Sequence, residues 1–347
     1  MVSLKDIAER AQVSTTTVSH VLNGTRHVHP DTVERVLKAV KELNYKPNML
    51  ARSLRRRQTR TIGLLVSDIE NPFFTEVARM VETTAHERGY NVILCNTDEN
   101  PAKETLYVDV LFAKQVDGLI VAPAPGDHAF LRAYLDQGAK VVFVNRYIPD
   151  VSVPTVIGDD EEAMYALAKR LLESGHRRLG AVLGIESVTT TQLRLAGMRR
   201  ALQEHGLALD DVWLFPGQAR REGGFKAAHA LVGLPQPPTA IIAFNRLMLD
   251  GILLGLLDLA PHLVRQVEIT GFGYSPVAHV CQSCQYYVAQ PSYELGRVAT
   301  TMLLDDLTGT APLKVEQTIL KNHLEEFGPA SGASPDWASF AYHPAVT

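Results

Sequence analysis

Cysteine is scarce in this 347-residue chain, and long apolar runs are missing. Cys95, Cys281 and Cys284 are an odd, sparse set that does not make a disulfide framework and fits a reducing compartment. No apolar run reaches the roughly 18 residues that span a bilayer, so a soluble protein with no membrane partner is expected. Met1-Val2-Ser3-Leu4-Lys5 lacks the apolar stretch and small-residue cleavage site of an export leader, which points to the cytoplasm. Catalytic signatures are missing as well, with no P-loop and no Gly-x-Ser-x-Gly elbow. Gly271-Phe272-Gly273-Tyr274-Ser275-Pro276 opens like a dinucleotide fingerprint, but it lacks the third glycine and places proline where the helix should start. Cys281-Gln282-Ser283-Cys284 has metal or redox spacing with only His279 close by, too few ligands for zinc, so both thiols are read as free and structural. Apart from the close pair His27 and His29, the histidines are scattered, and none has the His-Glu-x-x-His spacing. No catalytic residue, metal or cofactor is therefore expected.

What is present is length and an uneven charge. The chain is too long for one ordinary core and suggests two or three domains. Residues 1–60 hold 12 Lys and Arg against 5 Asp and Glu, which leaves 22 against 33 for the rest of the totals of 34 and 38. A basic head on an acidic body points to nucleic acid. Bases that merely solvate a helix face would be interleaved with acids more evenly.

The head reads as three helices. Leu4 to Ala11 carries apolar residues at helical spacing, and Ser14 is placed to cap a second helix over Thr15-Thr16-Thr17-Val18-Ser19-His20-Val21-Leu22. Val18, Val21 and Leu22 form one stripe that can pack on Ile7, Ala8 and Val13, while Thr16 and His20 are i,i+4 neighbours on the opposite, polar face. Three consecutive threonines are poor helix formers, and a helix in the major groove gives them a purpose as readers of base edges. A helical module packed on a protein partner is the alternative that this pair alone leaves open. Pro30 opens a third helix striped by Val33, Val36, Leu37 and Val40.

Asn48 is placed to cap a short helix through Arg57. About ten residues are marginal as an isolated helix, for which roughly 12 to 15 are needed, so this one should form only when held. Leu54 sits among Arg52, Arg55, Arg56 and Arg57, which suits a wedge entering the minor groove between phosphate contacts. An apolar anchor on the core is the plainer reading.

Residues 3–62 closely resemble the head of the LacI/GalR bacterial transcriptional regulators, closest to the purine repressor branch. The resemblance rests on Leu4-Lys5-Asp6-Ile7-Ala8, on Val13 through Asn23, and on Pro47-Asn48 through Ala51-Arg52-Ser53-Leu54. It implies that Lys5, Ser14, Thr15, Thr16, Thr17, Ser19, His20 and Arg26 face DNA, joined by Asn48, Arg52, Leu54, Arg55 and Arg56 of the hinge. Of these, Thr15, Thr16 and His20 would read the major groove, Arg26 would help position the head, and Leu54 would pry open a central base step. Gln12 departs from the pattern, standing where many members carry glycine, and should mildly strain the turn.

From Thr61 the pattern changes to short apolar runs alternating with helical stretches. Strands are expected at Ile62–Val66, Asn91–Leu94, Gly118–Val121, Lys140–Val144, Leu179–Leu183, Ala240–Phe244 and Val267–Phe272. So many buried parallel strands need two doubly wound α/β subdomains, with a ligand cleft at the carboxyl ends of the strands. The resemblance extends over this body, through Asn71-Pro72-Phe73-Phe74, Val116-Asp117-Gly118-Leu119-Ile120, Gly175-His176-Arg177, Arg194-Leu195-Ala196-Gly197, Gln290-Pro291 and Glu294-Leu295-Gly296. It implies a fold like a periplasmic sugar-binding protein, with chain crossovers between the subdomains. The expected organisation is an all-α helix-turn-helix head over residues 1–46, a hinge helix and linker over 47–60, an effector-binding and dimerisation core over 61–327, and a loose tail over 328–347. No leucine heptads appear, so a homodimer on a two-fold operator is the default.

Carried over residue by residue, the resemblance places Phe73, Asn145, Arg146, Thr190, Arg194, Asn245 and Arg246 around the effector cleft, with Phe73 as a stacking surface. Two positions deviate, because members usually carry aspartate where this chain has Arg246 and Gly273. A purine effector is therefore not implied, and convergent arginines would suit an anionic effector such as a sugar acid or sugar phosphate. Pairing of Arg246 with Asp250 is the equal alternative for that residue. The expected function is a dimeric, sequence-specific regulator of transcription, acting as a repressor at the bacterial nucleoid and controlled by a small molecule. The competing classes are an architectural DNA-bending protein and a sugar-binding transport component. The patterned recognition face argues against the first, and the basic head with no leader against the second.

Overall fold

The computed structural model describes residues 2–23, 26–45 and 58–326, and the chain forms two compact units that part at Thr59. The hinge segment through Arg57 and the tail beyond residue 326 lie outside the described residues.

The small unit is a three-helix cluster of α1 (Leu4–Ala11), α2 (Thr15–Asn23) and α3 (Pro30–Glu42). Ser3 begins it with a reciprocal capping box, its backbone N–H donating to Asp6 Oδ2 at 2.7 Å while its hydroxyl accepts from the Asp6 N–H. Ile7, Ala8, Ala11, Val18, Val36 and Ala39 are buried at the centre. Partly buried Leu4, Val13, Leu22 and Val40 pack against them, and Arg10 adds a clip between α1 and α3, its Nη2 and Nε lying 2.6 and 2.8 Å from Glu42 Oε2.

The large unit holds two parallel sheets. One has strand order β11-β5-β4-β3-β1-β2, formed by β1 (Thr61–Val66), β2 (Asn91–Asn96), β3 (Gly118–Val121), β4 (Val141–Val144), β5 (Thr155–Gly158) and β11 (Gln317–Leu320). The other has order β7-β6-β8-β9, from β6 (Leu179–Leu183), β7 (Leu214–Pro216), β8 (Ala240–Ala243) and β9 (Glu268–Gly271). β10 (Tyr286–Ala289) and β12 (His323–Glu326) pair antiparallel beside the second sheet. Helices flank the sheets: α4 (Pro72–Glu87), α5 (Pro101–Ala113), α6 (Ala129–Asp136) and α12 (Ser292–Thr308) serve the first, while α7 (Asp160–Glu173), α8 (Thr189–Glu204), α9 (Arg221–Val232) and α10 (Arg246–Leu259) serve the second. A short α11 (Pro276–Cys281) follows β9.

Among the described residues the chain crosses between the subdomains near residues 159, 290 and 322. Two crossings are laced together: the Asn322 N–H donates to Asp159 Oδ1 at 2.6 Å, and its side-chain amide donates to Asp160 Oδ1 at 3.1 Å. The glycine of the Arg194-Leu195-Ala196-Gly197 motif has a packing reason, because a Cβ there would come within 2.2 Å of the Glu161 carbonyl oxygen, so only glycine lets α8 lie this close to α7.

All seven expected strands are present, with ends shifted by two residues at most. β5, β7, β10, β11 and β12 were not expected. They are three or four residues long, and β11 and β12 sit exposed at sheet edges without an apolar run.

Candidate functional site

In the head, the polar face of α2 is organised from its first turn. Ser14 accepts a hydrogen bond from the Thr17 N–H at 3.1 Å, capping the helix, and its hydroxyl lies 2.9 Å from the Thr17 hydroxyl. These two residues thus have local structural work. Thr15 and Thr16 are exposed, as are Lys5 and Arg26, while Ser19 and His20 are half-buried and Val18 is fully buried on the other side. The turn before α2 ends α1 in a left-handed residue: Gln12 has φ 53° and ψ 50°, and Val13 N–H closes onto the Ala8 carbonyl at 2.9 Å. Asn48, Arg52, Leu54, Arg55 and Arg56 fall outside the described residues.

In the large unit, strand ends and helix starts converge on a cleft between the two sheets. Asp68, Asn71, Phe73, Glu99, Asn145, Arg146, Thr190, Arg194, Asn245 and Gln290 are among its lining. The Asn71-Pro72-Phe73-Phe74 motif explains itself here. Asn71 caps α4 by accepting from Phe73 N–H at 3.2 Å, Pro72 takes the first turn, Phe74 goes to the core, and Phe73 lines the cleft edge-on to it with centroids 5.1 Å apart. Asn245 caps α10 through Met248 N–H at 2.8 Å and donates to the Ala219 carbonyl at 3.0 Å. Asn145 holds a left-handed turn at φ 66°, a conformation asparagine tolerates better than most residues.

Six of the seven residues expected at the cleft line it, and Arg246 does not. Its guanidinium faces Asp250 at 3.8 Å, which is the ion-pair alternative, and its stem occupies the space beside Gly273, where an added Cβ would sit 3.1 Å from Arg246 Cβ. The two departures from the family pattern are therefore neighbours in space, and one fills the room the other vacates.

Each cleft arginine is met by an acid. Arg146 is bidentate to Glu99 at 2.7 and 2.8 Å and also donates to Ser67 Oγ at 3.2 Å. Arg194 donates to Asp160 Oδ2 at 2.9 and 3.2 Å and to the Phe244 carbonyl. Arg220, just before α9, reaches Asp68 at 2.9 Å and Asp98 at 2.6 Å. Burial pushes the Asp160 carboxyl up and the Arg194 guanidinium down, each opposed by the other's charge, and a guanidinium stays charged under such conditions. The anionic-effector expectation rested on convergent arginines, and each of them is already paired. With Glu99, Asp160 and Asp68 as partners, that electrostatic ground for preferring an anion over a neutral ligand is gone. Those acids and Arg220 were missed in the sequence. Asp68 and Asp98 stand just past apolar strands, where cleft residues of an α/β fold lie, and that placement was the available signal.

Residues 59–307 match the family of periplasmic binding proteins and the sugar-binding domain of the LacI family, and residues 3–48 match the bacterial regulatory proteins of the lacI family. The chain belongs to the LacI family: it is a DNA-binding transcriptional regulator with a small-molecule-binding core. It is 33% identical over 336 residues to the HTH-type transcriptional repressor PurR of Pectobacterium carotovorum, covering 95% of this chain and 98% of that one. Among solved structures it is similar to the regulator CelR in complex with cellobiose, at 28% identity and TM-score 0.69, covering 94% of this chain and 98% of CelR. The lac repressor dimer bound to operator and the anti-inducer ONPF shares the fold at TM-score 0.82 with 23% identity, covering 94% of this chain and 98% of that chain.

Proposed function

We propose that this regulator is a repressor that binds a pseudo-palindromic operator as a homodimer, with Thr15, Thr16 and His20 reading base edges in the major groove, and that it works in the cytoplasm at the nucleoid. The observation that carries this is the first turn of α2, where Thr15 and Thr16 are exposed, Thr16 on the side opposite buried Val18. Lys5 and Arg26 extend the exposed surface toward phosphates. Leu54 and its flanking arginines are proposed as the minor-groove wedge of the hinge. Exposed Leu94, Leu106 and Val110 on one subdomain, with Leu254, Leu257 and Val280 on the other, offer apolar surface to a second copy. No catalytic role is proposed.

The effector is proposed to be a small neutral molecule rich in hydroxyl or N–H groups, such as a sugar. A cleft whose charges already cancel in pairs rewards hydrogen-bonding complementarity over net charge. Phe73 offers an apolar face for stacking. Selection from a random duplex pool with the full chain tests the DNA reading. An enriched pseudo-palindrome is expected, and recovery of bent but sequence-unrelated DNA would favour the architectural class instead.

A further inference from the structure

Arg220 bridges the cleft at its mouth. It stands on the second subdomain just before α9, and its guanidinium ends on the first. Nη1 donates to Asp68 Oδ2 at 2.9 Å, and Nη2 donates to Asp98 Oδ1 at 2.6 Å and to the Asp98 carbonyl at 3.0 Å. Asp68 and Asp98 follow β1 and β2, which are paired neighbours, so both acids lie at one end of the same sheet. The Tyr147 N–H to Thr189 hydroxyl contact at 3.3 Å also joins the subdomains, but it is neutral and long.

The space left between the subdomains is small. The cleft volume is about 40 Å³, and a neighbouring pocket between Pro123 and Thr189 adds about 70 Å³. Arg220 is bonded across this space, so parting the subdomains breaks its bonds. Asp68, only 7% exposed while the tie is made, would then lose its cation and keep the Glu70 N–H at 3.0 Å.

We propose that Arg220 is the chain's own occupant of the cleft mouth and its specificity-determining residue. It ties the subdomains together while no effector is bound, and an effector displaces it by presenting hydroxyl or N–H donors to Asp68. A ligand that turns a carboxylate or phosphate toward Asp68 cannot make that exchange. This inference rests on the reading of the cleft as the effector site and is independent of how the head reads DNA.

Hydrogen exchange on the full-length, ligand-free protein tests it. Thr97 N–H on the Val66 carbonyl, Glu99 N–H on Ser67, Asn71 N–H on Asp68 and Arg220 N–H on Gly217 are hydrogen-bonded amides around the tie. In Arg220→Ala these segments should exchange roughly tenfold faster, the effect of losing a charged hydrogen bond, while α12 keeps its protection. Arg220→Lys should fall between. Asp98→Asn, at an exposed acid, should loosen the same segments and serves as the second variant if Arg220→Ala misfolds. Exchange within twofold of the parent in both Arg220→Ala and Asp98→Asn would overturn the proposal. If exchange is unchanged while DNA binding remains sequence-specific, only the tie is wrong. Loss of sequence preference in the parent protein would refute the DNA reading and leave the tie standing.

Discussion

The Arg194 guanidinium lies on the ring of Phe272, with 3.7 Å between its central carbon and the ring centroid. With Asp160 on its edge, this arginine is fixed on a face, a carboxylate and a carbonyl at once, inside a buried site. Removing it leaves buried Asp160 without its cation, held by the Asn322 amide alone, and opens a void over Phe272. Arg194→Ala should therefore destabilise the core by about 3–5 kcal/mol, a change visible in chemical denaturation. Arg194→Lys should recover only part of this, having neither the planar fork nor the stacking face. A variant as stable as the parent would mean that Arg194 is free to serve a ligand alone.

The head carries a strained turn that can be relaxed. Gln12 is held at φ 53°, where a side chain other than glycine costs roughly 1 kcal/mol. Gln12→Gly should stabilise the head by up to about 1 kcal/mol, less the entropy that glycine adds to the unfolded chain. The melting transition of the head is the measurement, and a drop on substitution would show that Gln12 makes a contact worth more than the strain.

Base reading and phosphate attraction separate by mutation. Thr16→Ala and His20→Ala should cost about 1–3 kcal/mol in discrimination between operator and scrambled duplex while hardly weakening binding to random DNA. Lys5→Ala should weaken both by similar factors and lower the salt dependence. Equal losses on both duplexes for Thr16→Ala would place it with the phosphate contacts.

Glu268 gives the core a pH dependence. Burial raises its carboxyl from 4.5 to about 7, against one hydrogen bond from the Gln285 N–H at 2.6 Å. Because the folded state holds this proton more tightly than the unfolded chain, its contribution is fully present below pH 4.5 and is lost as pH rises through about 7. Glu268→Gln keeps an acceptor for Gln285 and should remove roughly 1–3 kcal/mol of that loss between pH 5 and 8. The readout is the difference in unfolding free energy between the two pH values, and an unchanged difference would contradict the assignment.

Much of the architecture was legible because local chemistry carried it. The strands Gly118–Val121 and Leu179–Leu183 are bounded in the structure as their apolar runs suggested, and the head follows from Ser14, Pro30 and the valine stripes. Strands such as His323–Glu326 were not, since every residue in it is exposed and only its pairing with Tyr286–Ala289 makes it a strand. The cleft was half legible. Phe73, Asn145 and Arg194 line the cleft as the resemblance implied, but the partners that neutralise the arginines come from distant segments, Asp160 being 34 residues from Arg194 and Asp68 being 152 from Arg220. Charge at a site depends on such pairs, and one-dimensional spacing does not reveal them.

The most direct test of the account is a binding titration of the full chain on a selected pseudo-palindromic duplex and on a scrambled duplex of equal length and composition, repeated across a range of salt concentrations. Operator binding should be at least about a thousandfold tighter than binding to the scrambled duplex at physiological salt, with both weakening as salt rises. Affinities that match on the two duplexes at every salt concentration would contradict it.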